Sequence, residues 1–154
     1  MAIHIERTID INAPPERVWA VMMDVERWPE WTESMKSVER LDSGEFGVGS
    51  KARLKIRRSP NANVWTVTEL TPGRSFSWET NSGGVKGVAT HVIEPDGHGS
   101  RVTLTVDLSG IVASLFGPMI GGQSRKNVEM EAEGLKRRAE EGAAGTGTTT
   151  GEQE

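Results

Sequence analysis

The fold is decided by residues 3–31, which read IHIERTIDINAPPERVWAVMMDVERWPEW. Over residues 3–11 isoleucines alternate with polar residues, the pattern of a strand with one buried face. Arg7 has the same parity as the isoleucines, so it is predicted to point toward the apolar side of this strand. The opening of the chain is therefore predicted to be an edge or central strand of a sheet that covers a core on one side only.

Two short helices are predicted directly after this strand. Pro14 and Pro15 suit the first turn of a helix, where the missing N–H has no partner to lose. Apolar residues then follow at helical spacing as far as residue 23. Asp24 can cap a second helix, and Pro29 is expected to end it at Trp28, because the residue before a proline is pushed out of the helical region.

The rest of the chain contains many strands and only one long helix. Runs of alternating polarity, separated by short turn sequences, predict six further strands at 37–41, 51–57, 64–70, 75–80, 85–94 and 101–109. Residues 118–141 predict a helix roughly 36 Å long, enough to cross a whole sheet. Strands that follow one another through short turns form an antiparallel meander, so the fold class is α+β with seven strands.

Composition excludes several classes of function. The chain has 154 residues, a net charge of -4 and no cysteine, so disulfides, thiol catalysis and thiolate metal sites are excluded. No stripe of Lys and Arg indicates nucleic acid as a partner. No signal peptide or membrane-spanning run is recognised, so a cytoplasmic protein without stable membrane insertion is expected. Residues 1–141 are predicted to form one domain, and 142–154, which lack large apolar side chains, a disordered tail.

The long helix is predicted to present a thin stripe of small residues to the sheet. At 100° per residue, Gly121, Ala132, Leu135 and Ala139 fall close to Val128, and charged residues occupy the opposite arc. The flank of the stripe carries Ile120, Ser124, Asn127, Glu131 and Arg138. A small and partly polar face predicts a hollow interior with hydrogen-bonding groups along it, although a surface helix whose polar flank reaches solvent would give the same pattern.

The chain resembles the polyketide cyclase/dehydrase-type branch of the START-like (SRPBCC) superfamily. The resemblance is carried by residues 9–19, IDINAPPERVW, by Asp24 followed by WPEW at 28–31, by GSRVT at 99–103 and by GLK at 134–136. It covers about residues 3–141 and implies the helix-grip fold. In that fold a curved seven-stranded antiparallel sheet surrounds a long C-terminal helix, with two short helices after the first strand.

The resemblance also implies a class of ligand. Members of the family bind lipids, sterols, polyketides or other hydrophobic molecules in the cavity between sheet and helix, and some cyclise or dehydrate them. Aromatic-ring cyclases of this fold tend to use Arg, Tyr, Ser or acidic groups. This chain has no tyrosine, which argues against a cyclase.

Three residues are candidates for catalysis. Arg7, on the apolar face of the first strand, could anchor a carboxylate or enolate, or it could extend past the sheet edge or pair with Glu131. His91 could act as an acid or base. The residues on both faces of its strand are apolar, so the sequence does not decide which face carries His91. Glu131 could serve as the acidic partner.

Ligand contacts are predicted on the sheet, on the turn after the short helices and on the long helix. The predicted set is Trp28, Trp31, Phe76, Trp78, His91, Ile120, Ser124, Asn127 and Glu131. Trp28 and Trp31 are placed at the cavity mouth, and the other aromatic residues form walls for a planar ligand or ordinary core. The three histidines lack the spacing of metal ligands, and no phosphate loop or dinucleotide motif occurs, so neither metal nor cofactor is expected.

Three functions remain open. The leading hypothesis is binding or carriage of a hydrophobic small molecule by a monomer or homodimer, which requires a cavity of several hundred Å³. The first alternative is a cyclase or dehydratase that acts on a polyketide-like substrate in the same cavity. The second is a protein-interaction module, which requires an exposed apolar patch around Trp28 and Trp31.

Overall fold

The computed structural model describes residues 2–59 and 61–152, with side chains as far as residue 142. The elements in chain order are β1 (Ile3–Ile11), α1 (Pro15–Met23), a 3₁₀ helix (Val25–Glu30), β2 (Met35–Arg40), β3 (Lys51–Ile56), β4 (Asn63–Thr71), β5 (Ser75–Ser82), β6 (Val85–Asp96), β7 (Gly99–Ser109), α2 (Ile111–Leu115) and α3 (Gly117–Glu152). The disordered tail expected over 142–154 stays a prediction, because nearly all of it lies outside the residues whose side chains are described.

The seven strands form one antiparallel sheet in the order β1-β7-β6-β5-β4-β3-β2. Six strands follow each other as a meander, and β1 closes the far side by pairing with β7, with Ile3 opposite Leu108 and Ile11 opposite Ser100. The sheet is curved, and α3 lies against its concave face. The predicted α+β helix-grip fold is therefore confirmed, including the number of strands.

Strand β1 shows why alternation predicted its face correctly. Ile5, Ile9 and Ile11 are buried, and the residues between them are exposed or half-buried. Arg7 lies on the same face but reaches α3 rather than the core. Its Nε is 2.9 Å from Glu129 and its Nη2 is 3.2 Å from Glu133. The expected partner, Glu131, is thus replaced by the two acidic residues on either side of it.

The helical segments differ from the prediction in three places, one of which is the end of α3, predicted at residue 141 and found at Glu152. The second short helix is a 3₁₀ helix that continues past Pro29 to Glu30, because the N–H groups of Trp31 and Thr32 both bond to the carbonyl of Trp28 and complete another turn. The connection before α3 contains the short helix α2, which the mixed apolar sequence did not indicate. Pro15 lies in the first turn of α1 as predicted, whereas Pro14, also expected in that turn, is the cap.

Helix α3 packs through the stripe that its helical wheel predicted. Val128, Ala132, Leu135 and Ala139 are all buried. The closest approach of α3 to the backbone of another segment is at Gly134, where an added Cβ would lie 1.9 Å from the carbonyl oxygen of Trp31. Only glycine allows this separation, so α3 is held directly against the segment that follows the 3₁₀ helix.

Candidate functional site

A cavity of about 100 Å³ lies between the concave face of the sheet and α3. Its position is the one predicted, but it is smaller than the expected several hundred Å³. The reason is that large aromatic side chains fill much of the space, and Trp28 and Trp78 are almost completely buried. Helix α3 contributes Val128 and the polar flank of the stripe, Ser124, Asn127 and Glu131, to the cavity wall.

Most of the cavity wall is apolar, and the polar groups are few. Aromatic and aliphatic side chains form the larger part: Trp28, Met35, Leu54, Ile56, Trp65, Trp78, Ala89, Val106, Leu108 and Val128. Five residues contribute polar atoms: Ser34, His91, Ser124, Asn127 and Glu131. An apolar pocket with a few placed polar groups is the usual form of a site for a small organic ligand.

Strand β6 places His91 on the concave face, which settles the side that the sequence left open. The residues of its parity, Gly87, Ala89 and Ile93, are buried with it. His91 is 3% exposed and stands opposite Phe76 of β5 in the strand register. The two rings stack at 4.1 Å with an angle of 3° between their planes. The stacked ring of Phe76 therefore fixes the orientation of the imidazole.

His91 and Glu131 form a buried pair across the space between sheet and helix. His91 Nε2 lies 3.3 Å from Glu131 Oε1, and their side chains are 4% and 13% exposed. The other ring nitrogen, Nδ1, lies 3.3 Å from the carbonyl oxygen of Phe76. Both nitrogens of the imidazole thus have an oxygen partner, one from the sheet and one from α3.

A hydrogen bond between His91 and Glu131 would need one proton more than a neutral imidazole and an ionised carboxylate carry. A carbonyl oxygen only accepts, so Nδ1 of His91 must carry hydrogen and donate it to Phe76. A neutral imidazole of this kind has only a lone pair at Nε2, and an ionised carboxylate offers only acceptors. The contact with Glu131 is attractive when one more proton is present, either on Nε2 or on the carboxyl group. The pair can therefore give a proton to a bound molecule or take one from it.

Two further polar residues of α3 face the same cavity. Ser124 and Asn127 lie two turns and one turn before Glu131, so all three line one side of the helix. The amide nitrogen of Gln123 donates to the side-chain oxygen of Asn127 over 3.1 Å. The structure thus brings Ser124, Asn127 and Glu131 together with His91, as their spacing indicated, although their role toward a ligand stays a prediction.

The predicted aromatic contacts divide into two groups. Trp28 and Trp78 line the cavity and lie 5.3 Å apart by ring centroids. Trp31 and Phe76 are buried behind them, and Ile120, also outside the cavity lining, is half-buried one turn before Ser124. Trp28 is 1% and Trp31 4% exposed, so the apolar patch that the interaction hypothesis required at these residues is absent.

Arg7, a predicted candidate, lies outside the cavity. Trp65 lies in the cavity wall but was not among the predicted residues. Arg7 is engaged by Glu129 and Glu133, which leaves His91 and Glu131 as the catalytic candidates that face the cavity. A signal for Trp65 does exist in the sequence. Gly87 interrupts a strand, and a glycine there often marks the close approach of another group, in this structure the ring of Trp65.

Within the described parts of the chain, neither a metal site nor a membrane-spanning helix is found. No group of three or more His, Asp or Glu side chains is arranged to hold a metal ion. No helix combines the length and the apolar character that crossing a membrane requires.

The fold and this cavity define a helix-grip protein of the START-like class, whose architecture encloses a site for hydrophobic ligands. The chain belongs to the family described as "Polyketide cyclase / dehydrase and lipid transport", which it matches over residues 2–140. The expected family is thereby confirmed, and with it the general kind of function, either hydrophobic-ligand binding or cyclase chemistry.

The chain is also similar to individual proteins, and the solved structures among them share its fold. The chain is 30% identical over 118 residues to Toxin Rv0910 of Mycobacterium tuberculosis, a match that covers 73% of this chain and 78% of the relative. Among solved structures, the Zhui aromatase/cyclase from Streptomyces sp. R1128 shares the fold with a TM-score of 0.76, 21% identity and coverage of 92% and 95%. A START superfamily protein from Mycobacterium smegmatis matches with a TM-score of 0.75, 19% identity and coverage of 90% and 98%.

Proposed function

We propose that this protein binds a small hydrophobic molecule, about the size of one substituted aromatic ring, in the cavity between the sheet and α3. The observation that carries the proposal is the pair of His91 and Glu131 in the wall of a mostly apolar cavity. A buried carboxylic group is costly unless a partner satisfies it, and here a single imidazole does so. A hydroxyl group on the ligand would supply a second partner for the carboxyl oxygens of Glu131.

The size of the ligand follows from the volume of the cavity. A dry apolar cavity of about 150 Å³ is large enough to bind benzene, and this cavity, at about 100 Å³, is somewhat smaller, so a single ring is the upper limit for a ligand that enters with small adjustments of the wall. Larger family ligands such as polycyclic polyketides would require the tryptophans of the wall to move. Indole rings packed on one another at 5–6 Å resist such movement, which favours a ligand with a single ring.

A pair of probes that differ only in the hydroxyl group tests this proposal. Calorimetric titration of the full chain should show that 4-ethylphenol binds more tightly than 4-ethyltoluene. A hydrogen bond to a charged group is worth roughly 1.5–3 kcal/mol, which corresponds to about a 10- to 100-fold preference. Glu131→Gln should remove most of this preference. Binding of neither probe, or an equal affinity for both in the wild type, would contradict the proposal.

Glu129→Gln is the matched control for this experiment. Glu129 lies two residues from Glu131 on the same helix and can receive the same substitution, but its side chain contacts Arg7 outside the cavity. The preference of this variant for 4-ethylphenol should equal that of the wild type. A loss of preference in both variants would show that a change in helix charge, not a contact in the cavity, is responsible.

Acid–base catalysis in the same cavity is a second candidate function. The observation that favours it is the 3.3 Å contact between His91 Nε2 and Glu131 Oε1 in the cavity wall, since a cyclisation or dehydration needs a group that donates and accepts protons. A direct assay is the exchange of the methyl protons of 4-hydroxyacetophenone for deuterium in D₂O, followed by NMR. Exchange that is faster with the wild type than with Glu131→Gln supports an enzyme, and binding without exchange supports a carrier.

A further inference from the structure

Trp65 lies deeper in the site than its place on β4 indicates. Its side chain lines the cavity and is 7% exposed. The ring extends across β5 as far as β6, where a Cβ added at Gly87 would be 3.2 Å from its Cη2 atom. The absence of a side chain at Gly87 thus gives the indole its place over the sheet.

The indole nitrogen of Trp65 has no hydrogen-bond partner among the described residues, although it is fully buried. Trp28, in the same cavity wall, shows the ordinary situation, because its Nε1 donates to the carbonyl oxygen of Met22 over 3.0 Å. Buried N–H groups without an acceptor are rare in folded proteins, and each one calls for an explanation such as a missing ligand. The cavity beside Trp65 is the place where an acceptor could enter.

We propose that the N–H group of Trp65 binds a carbonyl oxygen of the ligand. This inference rests on the proposed function and extends it, since the ligand would then carry an acceptor in addition to the hydroxyl group held by Glu131. Trp78 lies between the two polar points, with its ring centroid 5.9 Å from Trp65 and 6.2 Å from His91. The ligand class is accordingly a hydroxy-substituted aromatic carbonyl compound, recognised at two points across an apolar wall.

The choice of a carbonyl oxygen follows from the chemistry of the donor. An indole N–H is neutral and can only donate, so it selects an acceptor and gives no advantage to a second hydroxyl donor. The surrounding side chains are apolar, which strengthens a hydrogen bond formed there and penalises a ligand that leaves the donor unpaired. Unlike Glu131, Trp65 offers no charge, so it would discriminate between ligands of the same size by one hydrogen bond.

Two probes of nearly the same shape test the inference. 4-Hydroxyacetophenone carries the carbonyl group, and 4-ethylphenol lacks it. Calorimetry on the full chain should show that Trp65→Phe weakens binding of 4-hydroxyacetophenone about 3- to 10-fold relative to its effect on 4-ethylphenol. The smaller ring of phenylalanine changes packing for both probes alike, so the ratio of the two affinities reports the hydrogen bond. Trp31→Phe, a buried tryptophan outside the cavity, should leave that ratio unchanged.

The wild-type chain provides a second measurement that does not depend on a variant folding. Its five tryptophans give five indole N–H signals in ¹⁵N-resolved NMR spectra. The signal of Trp65 should move downfield when 4-hydroxyacetophenone binds and should not do so with 4-ethylphenol.

The outcomes separate this inference from the proposed function. If both probes bind, but Trp65→Phe weakens both by the same factor and the indole signal does not respond, the inference is overturned and the proposed function stands. If neither probe binds to the wild type, the proposed function and the inference fail together.

Discussion

Replacing Gly134 by alanine should destabilise the protein, although alanine favours helices. Gly134 lies in the interior of α3, and a Cβ built on it would be 1.9 Å from the oxygen and 2.9 Å from the carbon of the Trp31 carbonyl group. These are backbone atoms that cannot rotate away. The helix must therefore move outward, and this movement also lengthens the 3.0 Å bond from Arg137 to the same carbonyl oxygen.

The size of the effect follows from three opposing contributions. Alanine instead of glycine in a helix interior stabilises by about 1 kcal/mol. Overpacking of a close contact costs about 1–3 kcal/mol, and losing a partly buried hydrogen bond costs about 1 kcal/mol more. The free energy of unfolding of Gly134→Ala is therefore expected to fall by about 1–3 kcal/mol relative to the wild type.

Urea denaturation followed by circular dichroism measures this change, and Gly122→Ala is the matched control. Gly122 belongs to the same helix, but nothing lies within 4 Å of an added Cβ there. The control should gain roughly 0.5–1 kcal/mol from helix propensity alone. Opposite signs for one substitution at two positions would confirm the close approach. A Gly134→Ala variant as stable as Gly122→Ala would refute the argument that α3 touches the Trp31 backbone.

Two charged contacts outside the cavity yield further predictions. Asp107→Asn should lower the pKa of His4, because hydrogen bonds to Asp107 and Glu6 hold that pKa above its ordinary value, and NMR titration of the imidazole checks this. Since folding raises the pKa of His4, its contacts stabilise the folded protein fully below about pH 6.5, and this stabilisation is lost as the pH rises through the folded-state pKa. A stability advantage of the wild type over the variant that grows with pH would contradict this prediction. Arg7→Met should reduce the free energy of unfolding by at most about 1 kcal/mol, with no difference left in 1 M NaCl, and a salt-independent loss of several kcal/mol would show that Arg7 is buried more deeply than its ion pairs indicate.

The fold was predictable because each strand carries its own pattern. Alternation in β1 and β7, prolines before α1 and the small-residue stripe of α3 are all local features, and each agrees with the same architecture. Agreement between local preference and the global arrangement is what allows a single sequence to indicate a fold. The second short helix was predicted at its place but not as a 3₁₀ helix that runs to Glu30, and α2 was missed, because both are short segments whose bonds depend on neighbouring carbonyl groups.

The site was predictable only in part, because it depends on which side chains meet across the sheet. Helical spacing placed Ser124 and Glu131 on one side of α3, but neither face of β6 is polar, so the side of His91 had to come from the structure. The face of Arg7 was predicted correctly, but Glu131, one of the partners considered for it, is two positions from Glu129 and Glu133 and therefore about 160° away from them around the helix. Trp65 was missed because strand parity tells the side of a residue but not how far its ring reaches.

The pairing of β1 with β7 has a consequence for how the chain folds. The β2–β7 meander consists of neighbours along the chain, whereas Ile3 must find Leu108. Contacts so distant in sequence form slowly, because closing a long loop costs entropy before any contact is gained. During synthesis the isoleucine-rich first strand leaves the ribosome long before its partner exists, and it stays unpaired until residues 99–109 follow. Substitutions that slow the release of this C-terminal part should therefore prolong the time during which the first strand can bind chaperones or aggregate.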